Sequence, residues 1–137
     1  MSIPRAQELG WVLPPFFDSG AHNTLTDVPG VLVGQVTLIA GEAGPLQVGQ
    51  GPVRTGVTAI RPHPGNLFRQ PVPAGVHVLN GFGKTTGLAQ LRELGRLETP
   101  ILLTNTLSVW RAADALLDWM LQENPEIGIT QPTLNPV

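Results

Sequence analysis

The pattern of apolar and polar positions predicts a strand, a polar turn and an amphipathic helix in the last third of the chain. The apolar residues 101–103 are typical of a strand covered on both faces, and the polar residues 104–106 follow them. Helical spacing begins directly after this turn. The apolar positions of the helix are Val109, Ala112, Ala113, Leu116 and Met120, and Arg111, Asp114, Asp118 and Gln122 occupy the opposite face. Thr106 or Ser108 is the expected N-cap, because a side-chain oxygen there accepts a hydrogen bond from the first turn.

Two strands are predicted in the first half of the chain. Residues 31–39 and 53–60 are rich in β-branched residues, and the glycine- and proline-rich segment 41–52 between them favours an antiparallel pair. Gly34 is a candidate for a β-bulge in the first strand. An irregular N-terminal arm over residues 1–22 precedes this pair. The large aromatic residues of the arm are Trp11, Phe16 and Phe17.

A second strand, polar turn and helix are predicted ahead of the unit at 101–103. Residues 75–80 fit a short strand, and residues 80–87 form a glycine-rich turn into a helix that Gly95 ends. The apolar positions of this helix are Leu88, Leu91 and Leu94. Together the two units predict a βαβα run over residues 75–124. Both polar turns are then expected at the carboxyl ends of strands, which is the edge where open α/β sheets bind ligands.

Composition and charge narrow the functional class. The 137 residues suit one domain, with a core expected over residues 23–124 and an interrupted-looking tail over 125–137. A net charge of −2 without blocks of like charge makes nucleic acid and acidic membrane surfaces unexpected partners. No apolar run has the length needed to cross a bilayer, and the N-terminus has no signal-peptide core, so the expected location is the cytoplasm. The absence of cysteine excludes thiolate catalysis and cysteine metal sites.

The first function that the motifs suggest is nucleotide binding. Residues 83–85, Gly-Lys-Thr, resemble the end of a phosphate-binding loop, but the glycine required at position 78 is a valine. The spacing of Gly81, Gly83 and Gly87 is one residue too long for a dinucleotide fingerprint. Lys84 is therefore interpreted as a solvated residue.

No self-sufficient catalytic or metal-binding set is found among the polar residues. The three histidines, at 22, 63 and 77, are far apart and lack metal-ligand spacing, and we expect His77 to be a hydrogen-bonded, partly buried strand residue. None of the serines lies in a nucleophile elbow. Asp114 and Asp118 are expected on a solvated helix face rather than as a catalytic pair. No metal or cofactor is predicted.

Four blocks of sequence, considered together and in the order in which they occur, resemble a known family. The blocks are residues 23–34 (NTLTDVPGVLVG), 51–59 (GPVRTGVTA), 79–83 (LNGFG) with Thr86 and Gly87, and 104–109 (TNTLSV). They resemble the L-aminopeptidase/D-esterase family, the self-cleaving serine aminopeptidases that include the β-peptidyl aminopeptidases. The resemblance covers most of the chain from Asn23 to about Met120.

The resemblance implies an α/β fold, the N-terminal part of an αββα sandwich with N-terminal-nucleophile architecture, assembled from two chains that autocleavage makes from one precursor. It implies a serine nucleophile exposed by that cleavage, with its own α-amine as base and an asparagine and backbone N–H groups at the oxyanion. All of these, and a glutamate and a tyrosine that receive the substrate amine, would follow residue 137. The implied partners are a peptide, amide or ester substrate, the downstream part of the same precursor, and further copies in a homo-oligomer.

The residues of this chain that match the family in the two polar turns are candidates for lining the substrate cleft. They are Asn80, Gly81 and Gly83 in the first turn, and Thr104, Asn105 and Thr106 in the second. Because the implied nucleophile lies downstream, residues 1–137 alone are expected to be inactive. The alternatives are a catalytically inactive fragment that retains only assembly contacts, and a small nucleotide-binding α/β domain.

Overall fold

The protein is a mixed α/β structure in which the strands outnumber the helices along the described chain. The computed structural model describes residues 8–10, 18–130, 134, 136 and 137. The strands are β1 (Leu32–Ala40), β2 (Val53–Arg61), β3 (Val72–Pro73), β4 (Arg96–Leu97) and β5 (Ile101–Thr104), and the helices are α1 (Leu88–Leu94) and α2 (Val109–Glu123). Short 3₁₀ turns lie at Leu25–Asp27 and Thr106–Ser108. The aromatic arm residues Trp11, Phe16 and Phe17 lie outside the described residues, and the boundaries expected at 22 and 124 stay predictions.

Strand β2 is the centre of a three-stranded antiparallel sheet with the order β1-β2-β5. The β1–β2 ladder is continuous from the pair Leu32 and Arg61 to the pair Ala40 and Val53. The predicted antiparallel pair is therefore confirmed. The bulge expected at Gly34 is wrong, because Gly34 pairs with Ala59 within an unbroken ladder. Strands β3 and β4 form a separate two-stranded sheet.

Gly56 lies where β1 passes close to β2. A Cβ built at this position would overlap the backbone oxygen of Val36, and it would lie 3.3 Å from the Cα of Thr37. On the other side of β2, the Gly56 carbonyl accepts a hydrogen bond from Thr104 Oγ1 at 2.9 Å. The residue with no side chain thus lets two neighbouring strands close on the same stretch of β2.

The expected βαβα run is wrong in its first strand and in its strand order. Residues 75–80 form no strand in the described structure, since no described strand pairs with them and an extended segment needs such a partner. His77 is accordingly exposed, instead of partly buried on a strand. Strand β5, the second strand of the predicted run, instead joins the sheet as the antiparallel neighbour of β2.

The two helices match the sequence pattern. Gly95 ends α1 in the left-handed conformation, with φ of 62°, and its N–H donates to the carbonyl of Leu91. In α2, Leu116 and Met120 are buried, while Asp114 and Asp118 are exposed as predicted. Neither helix of the described chain combines the length and apolarity that crossing a bilayer requires.

Both faces of the three-stranded sheet carry apolar side chains. Helix α2 packs on the face of Ala59 and Leu102, since these residues and Leu116 line a common cavity. On the opposite face the described residues leave large apolar side chains exposed, which contradicts the expectation that residues 101–103 are covered on both faces: Leu103 is 54% exposed, and Ile39 on β1 is 67% exposed. A sheet with two apolar faces requires a layer on each side.

The loop over residues 62–70 attaches the end of β2 to the end of α2. Asn66 Nδ2 donates to Asn124 Oδ1 at 2.6 Å, and the Nδ2 group of Asn124 donates to the Met120 carbonyl. Leu67 is 3% exposed. Arg69 Nε lies 3.0 Å from Glu126 Oε1. A hydrogen bond from its own backbone N–H, and then the Arg69 side chain, hold the pKa of the Glu126 carboxyl below its ordinary value of 4.5.

Replacing Gly56 by alanine should destabilise the sheet, because the new methyl group would force β1 away from β2 at Val36. We expect a loss of about 2 kcal/mol in the free energy of unfolding, measured by urea denaturation. Gly34→Ala is the matched control, since a Cβ there has no described atom within 4 Å. Equal effects of the two variants would contradict a close contact specific to Gly56.

The Arg69–Glu126 pair should stabilise the loop only while Glu126 is ionised. Because the pKa of Glu126 is lower in the folded protein, this contribution is present above about pH 4.5 and is lost as pH falls through the folded value. The Glu126→Gln variant should therefore differ from the wild type at pH 6, and the difference in urea midpoint should decrease as the pH is lowered below 4.5 and through the folded pKa. The difference should be small and should shrink in high salt, since the pair is exposed to solvent.

Candidate functional site

The polar turn that follows β5 is held by two side chains that contact β2. Thr104 Oγ1 donates to the Gly56 carbonyl, and Asn105 Nδ2 donates to Thr55 Oγ1 at 2.7 Å. Both bonds join residues about fifty positions apart in sequence. The turn is thus fixed relative to the sheet before the chain enters α2.

Asn105 is the residue that caps the helical segment. Its Oδ1 accepts from the Ser108 N–H at 3.1 Å, and its backbone φ and ψ of −68° and 153° are those of an extended N-cap. Ser108, one of the two residues expected as the cap, is the N-cap residue of α2, but its side chain makes no capping hydrogen bond. The side-chain cap lies at Asn105 because a 3₁₀ turn over Thr106–Ser108 precedes α2.

Thr55 is a site residue that the sequence pattern did not single out. Its hydroxyl group accepts the hydrogen bond from Asn105, so it belongs to the turn although it lies on β2. Thr55 could have been found from the register of the β2–β5 pair. Because Val57 lies opposite Thr104, continuing the antiparallel register places Thr55 beside the residues that follow Thr104.

The glycine-rich turn at residues 80–83 is exposed and internally bonded. Asn80 Oδ1 accepts from the Phe82 N–H at 2.9 Å, and Phe82 is 90% exposed. A Cβ built at Gly81 or Gly83 meets nothing within 4 Å, and neither glycine has a positive φ. Neither the local backbone nor any described neighbour therefore requires glycine at these two positions.

A cavity of about 170 Å³ lies between the segment after this turn, strand β5 and helix α2. Lys84, Thr85 and Thr86 line it on one side, and Thr104 lines it on the other. Most of the remaining lining side chains are aliphatic. It adjoins the free edge of β5, where the Leu102 N–H donates to the Val137 carbonyl at 3.0 Å. Its position between sheet and helix is that of a packing space in a hydrophobic layer.

The six cleft candidates are only partly brought together. Thr104 shares the cavity with residues 84–86, which directly follow the glycine turn. Asn80, Gly81, Gly83, Asn105 and Thr106 do not line it. Convergence of the two turns on one substrate cleft stays a prediction. Lys84 is exposed, as predicted.

The polar groups described at this turn hold other residues in place, and they include no acid–base pair. The side-chain contacts of Thr104 and Asn105 run to a hydroxyl group and to backbone atoms. Over the described ranges, no group of three or more histidine, aspartate or glutamate residues has metal-ligand geometry. The described contacts of these two residues fix the position of the turn relative to the sheet.

Comparison with known proteins identifies the family. Residues 23–137 match the model of peptidase family S58, so the chain belongs to that family. It is 48% identical, over 117 residues, to the β-peptidyl aminopeptidase BapA of Sphingosinicella microcystinivorans. This alignment covers 85% of the chain and 28% of the relative.

Two solved structures show the same fold. The PH0078 protein of Pyrococcus horikoshii OT3 superposes with a TM-score of 0.85 at 55% identity, over 97% of this chain and 37% of that one. The L-aminopeptidase D-Ala-esterase/amidase of Ochrobactrum anthropi superposes with a TM-score of 0.72 at 37% identity, over 98% of this chain and 36% of that one. The latter is described as a prototype of the serine aminopeptidases and a new variant of the Ntn hydrolase fold.

These findings confirm the predicted family and fold class. The chain has the mixed α/β structure of the corresponding part of an Ntn hydrolase fold variant. It spans less than two fifths of the length of each of these relatives. The exposed apolar side chains of the sheet are consistent with a chain that matches only part of its relatives' length, since the relatives contain much more polypeptide than the matching segment.

Replacing Asn105 by alanine should loosen the junction of β2, β5 and α2. It removes both the cap to Ser108 and the hydrogen bond to Thr55, so we expect a loss of about 1–2 kcal/mol in the free energy of unfolding. Thr106→Ala is the neighbouring control and should change it by less than about 0.5 kcal/mol. The measurement is urea denaturation of the full-length polypeptide, meaning this chain together with the sequence that completes the length of its relatives. Similar losses in both variants would show that the effect does not depend on the Asn105 contacts.

Proposed function

We propose that this chain is the N-terminal portion of a self-processing serine aminopeptidase that hydrolyses N-terminal residues from peptides, amides or esters. The observation that carries the proposal is the match to peptidase family S58 over residues 23–137, which includes both polar turns. The 48% identity to a β-peptidyl aminopeptidase and the superposition on an L-aminopeptidase support the same reaction class.

In this proposal the bond-breaking groups come from the rest of the full-length polypeptide. Autocleavage exposes a serine, whose hydroxyl attacks the carbonyl of the substrate while its α-amine takes the proton. The described polar turn has no acid–base pair, which is what we expect of a segment that supports the site and does not itself break bonds. A cofactor is not part of the proposed reaction.

The contribution of this chain is to build one wall of the substrate cleft. Asn105 has its oxygen engaged by Ser108 and its amino group by Thr55, so it supports the turn from behind. The two glycines of the other turn, Gly81 and Gly83, leave their backbone open to close approach by a ligand or a further segment. The downstream part of the precursor is the proposed partner for the uncovered sheet face around Ile39 and Leu103.

The nucleotide-binding alternative loses its structural basis. A phosphate-binding loop joins a strand directly to a helix N-terminus. Here residues 75–80 form no strand, and α1 begins only at Leu88, three residues after Thr85. The alternative of a catalytically inactive fragment differs from the main proposal in its activity, which an experiment measures directly. A homo-oligomer and a cytoplasmic location, both expected from the sequence, remain predictions.

The full-length polypeptide should hydrolyse aminoacyl p-nitroanilides, and residues 1–137 alone should not. The two proteins are assayed side by side for release of p-nitroaniline, and denaturing electrophoresis reports whether the full-length polypeptide has divided into two chains. A third protein, with the serine at the new N-terminus replaced by alanine, is the control and should lose hydrolysis. Activity of residues 1–137 alone would mean a different nucleophile and would overturn the proposed chemistry. Inactivity of the cleaved full-length polypeptide on peptides, amides and esters would favour the assembly-only alternative.

A further inference from the structure

His63 closes the loop over residues 62–70 through both nitrogens of its ring. Nδ1 lies 3.0 Å from the Gly65 backbone nitrogen, which donates to it, and Nε2 lies 2.8 Å from the Gln70 carbonyl oxygen. One imidazole thus joins the first part of the loop to its last residue. The loop it closes is the one that attaches the end of β2 to the end of α2 through Asn66 and Asn124.

These two contacts determine the protonation state of the ring. A carbonyl oxygen only accepts a hydrogen bond, so Nε2 must carry the hydrogen. A backbone N–H only donates, so Nδ1 must present a lone pair. Both bonds are satisfied together only by the neutral Nε2–H tautomer. A proton added to Nδ1 would place two N–H groups against each other at 3.0 Å.

Gly65 has little freedom to avoid such a conflict. Its carbonyl accepts from Arg61 Nη2 at 3.1 Å, and the neighbouring Pro64 carbonyl accepts from the same nitrogen at 2.9 Å. A Cβ built at Gly65 would lie 3.0 Å from His63 Nδ1 and 3.3 Å from Gln70 Oε1. The peptide group is therefore held on one side by a cation and on the other by the ring.

The charged groups around the loop come from three elements. Arg61, at the end of β2, donates to the Gly65 carbonyl. Arg69 is paired with Glu126, which follows α2. Glu123 of α2 lines a cavity of about 130 Å³ together with Arg61 and Gly65.

We propose that residues 62–70 form a proton-sensitive clamp, closed by neutral His63 on Gly65 and Gln70 and opened when the ring gains a second proton. Opening releases the segment that carries Asn66 and Leu67, and with it the anchorage at the end of α2. Histidine is the side chain whose charge ordinarily changes between about pH 5 and pH 8, so the test of the clamp spans that range. It lies at the opposite end of α2 from the turn at Asn105.

Hydrogen exchange of the full-length polypeptide, followed by mass spectrometry, tests the clamp. A peptide spanning residues 62–72 is compared at pH 7.5 and pH 5.5 after correction for the intrinsic pH dependence of exchange. In the wild type we expect its protection to fall by about five- to tenfold at the lower pH, the equivalent of one or two hydrogen bonds. Glutamine in His63→Gln keeps an acceptor and a donor but does not titrate. The protection of the 62–72 peptide in this variant should therefore be the same at both pH values, whatever its absolute level.

His77→Gln is the matched control, because His77 is exposed and lies outside the loop. It should retain the pH-dependent change of the wild type. The proposal is overturned if protection of residues 62–72 in the wild type is the same at both pH values, or if the change persists in His63→Gln. Loss of the change in His77→Gln would also overturn it, since the titrating group would then be a different histidine.

Discussion

The pairing of β2 with a strand on each side is the constraint on which the rest of the structure depends. Gly56 lies at the middle of this arrangement, where the Val36 carbonyl of β1 comes close and where the Gly56 carbonyl receives the hydroxyl of Thr104. The register set there carries through to the turn at Asn105, whose amide reaches Thr55 one residue away on β2. The position of the polar turn is thus a consequence of how tightly two strands approach a third.

The second property that organises the molecule is that the sheet is apolar on both faces. Helix α2 covers the part of one face around Ala59 and Leu102, and the described residues leave the other face open at Ile39 and Leu103. Among the described residues, the buried large apolar side chains are Leu67, Leu91, Leu97, Leu116 and Met120. This core is small compared with the apolar surface of the sheet. Such a small core is consistent with a segment that spans about a third of its relatives' length.

The features predicted correctly from sequence were those set by local pattern. The β-branched composition of β1 and β2, the 3.6-residue spacing of α2 and the left-handed glycine after α1 are all properties of neighbouring residues. The errors arose where distant residues decide the outcome. Residues 75–80 have strand composition but no described partner, and Asn105 supplies the side-chain cap because its amide also finds Thr55 from another strand. The four matching blocks identified the family without revealing the antiparallel strand order, since a motif specifies residues and not their neighbours in space.

The two ladders of the central sheet differ in how far apart their strands lie along the chain, and this difference bears on the order of assembly. Strands β1 and β2 are joined through the short loop 41–52, so their hairpin closes at low entropic cost. Strand β5 reaches β2 only after the whole of segment 62–100, which makes its pairing a non-local and slower event. During that interval β2 presents an unpaired edge of alternating apolar residues, the kind of surface on which strands from other chains add. Docking of β5 therefore removes an edge to which other chains could add, as well as completing the sheet.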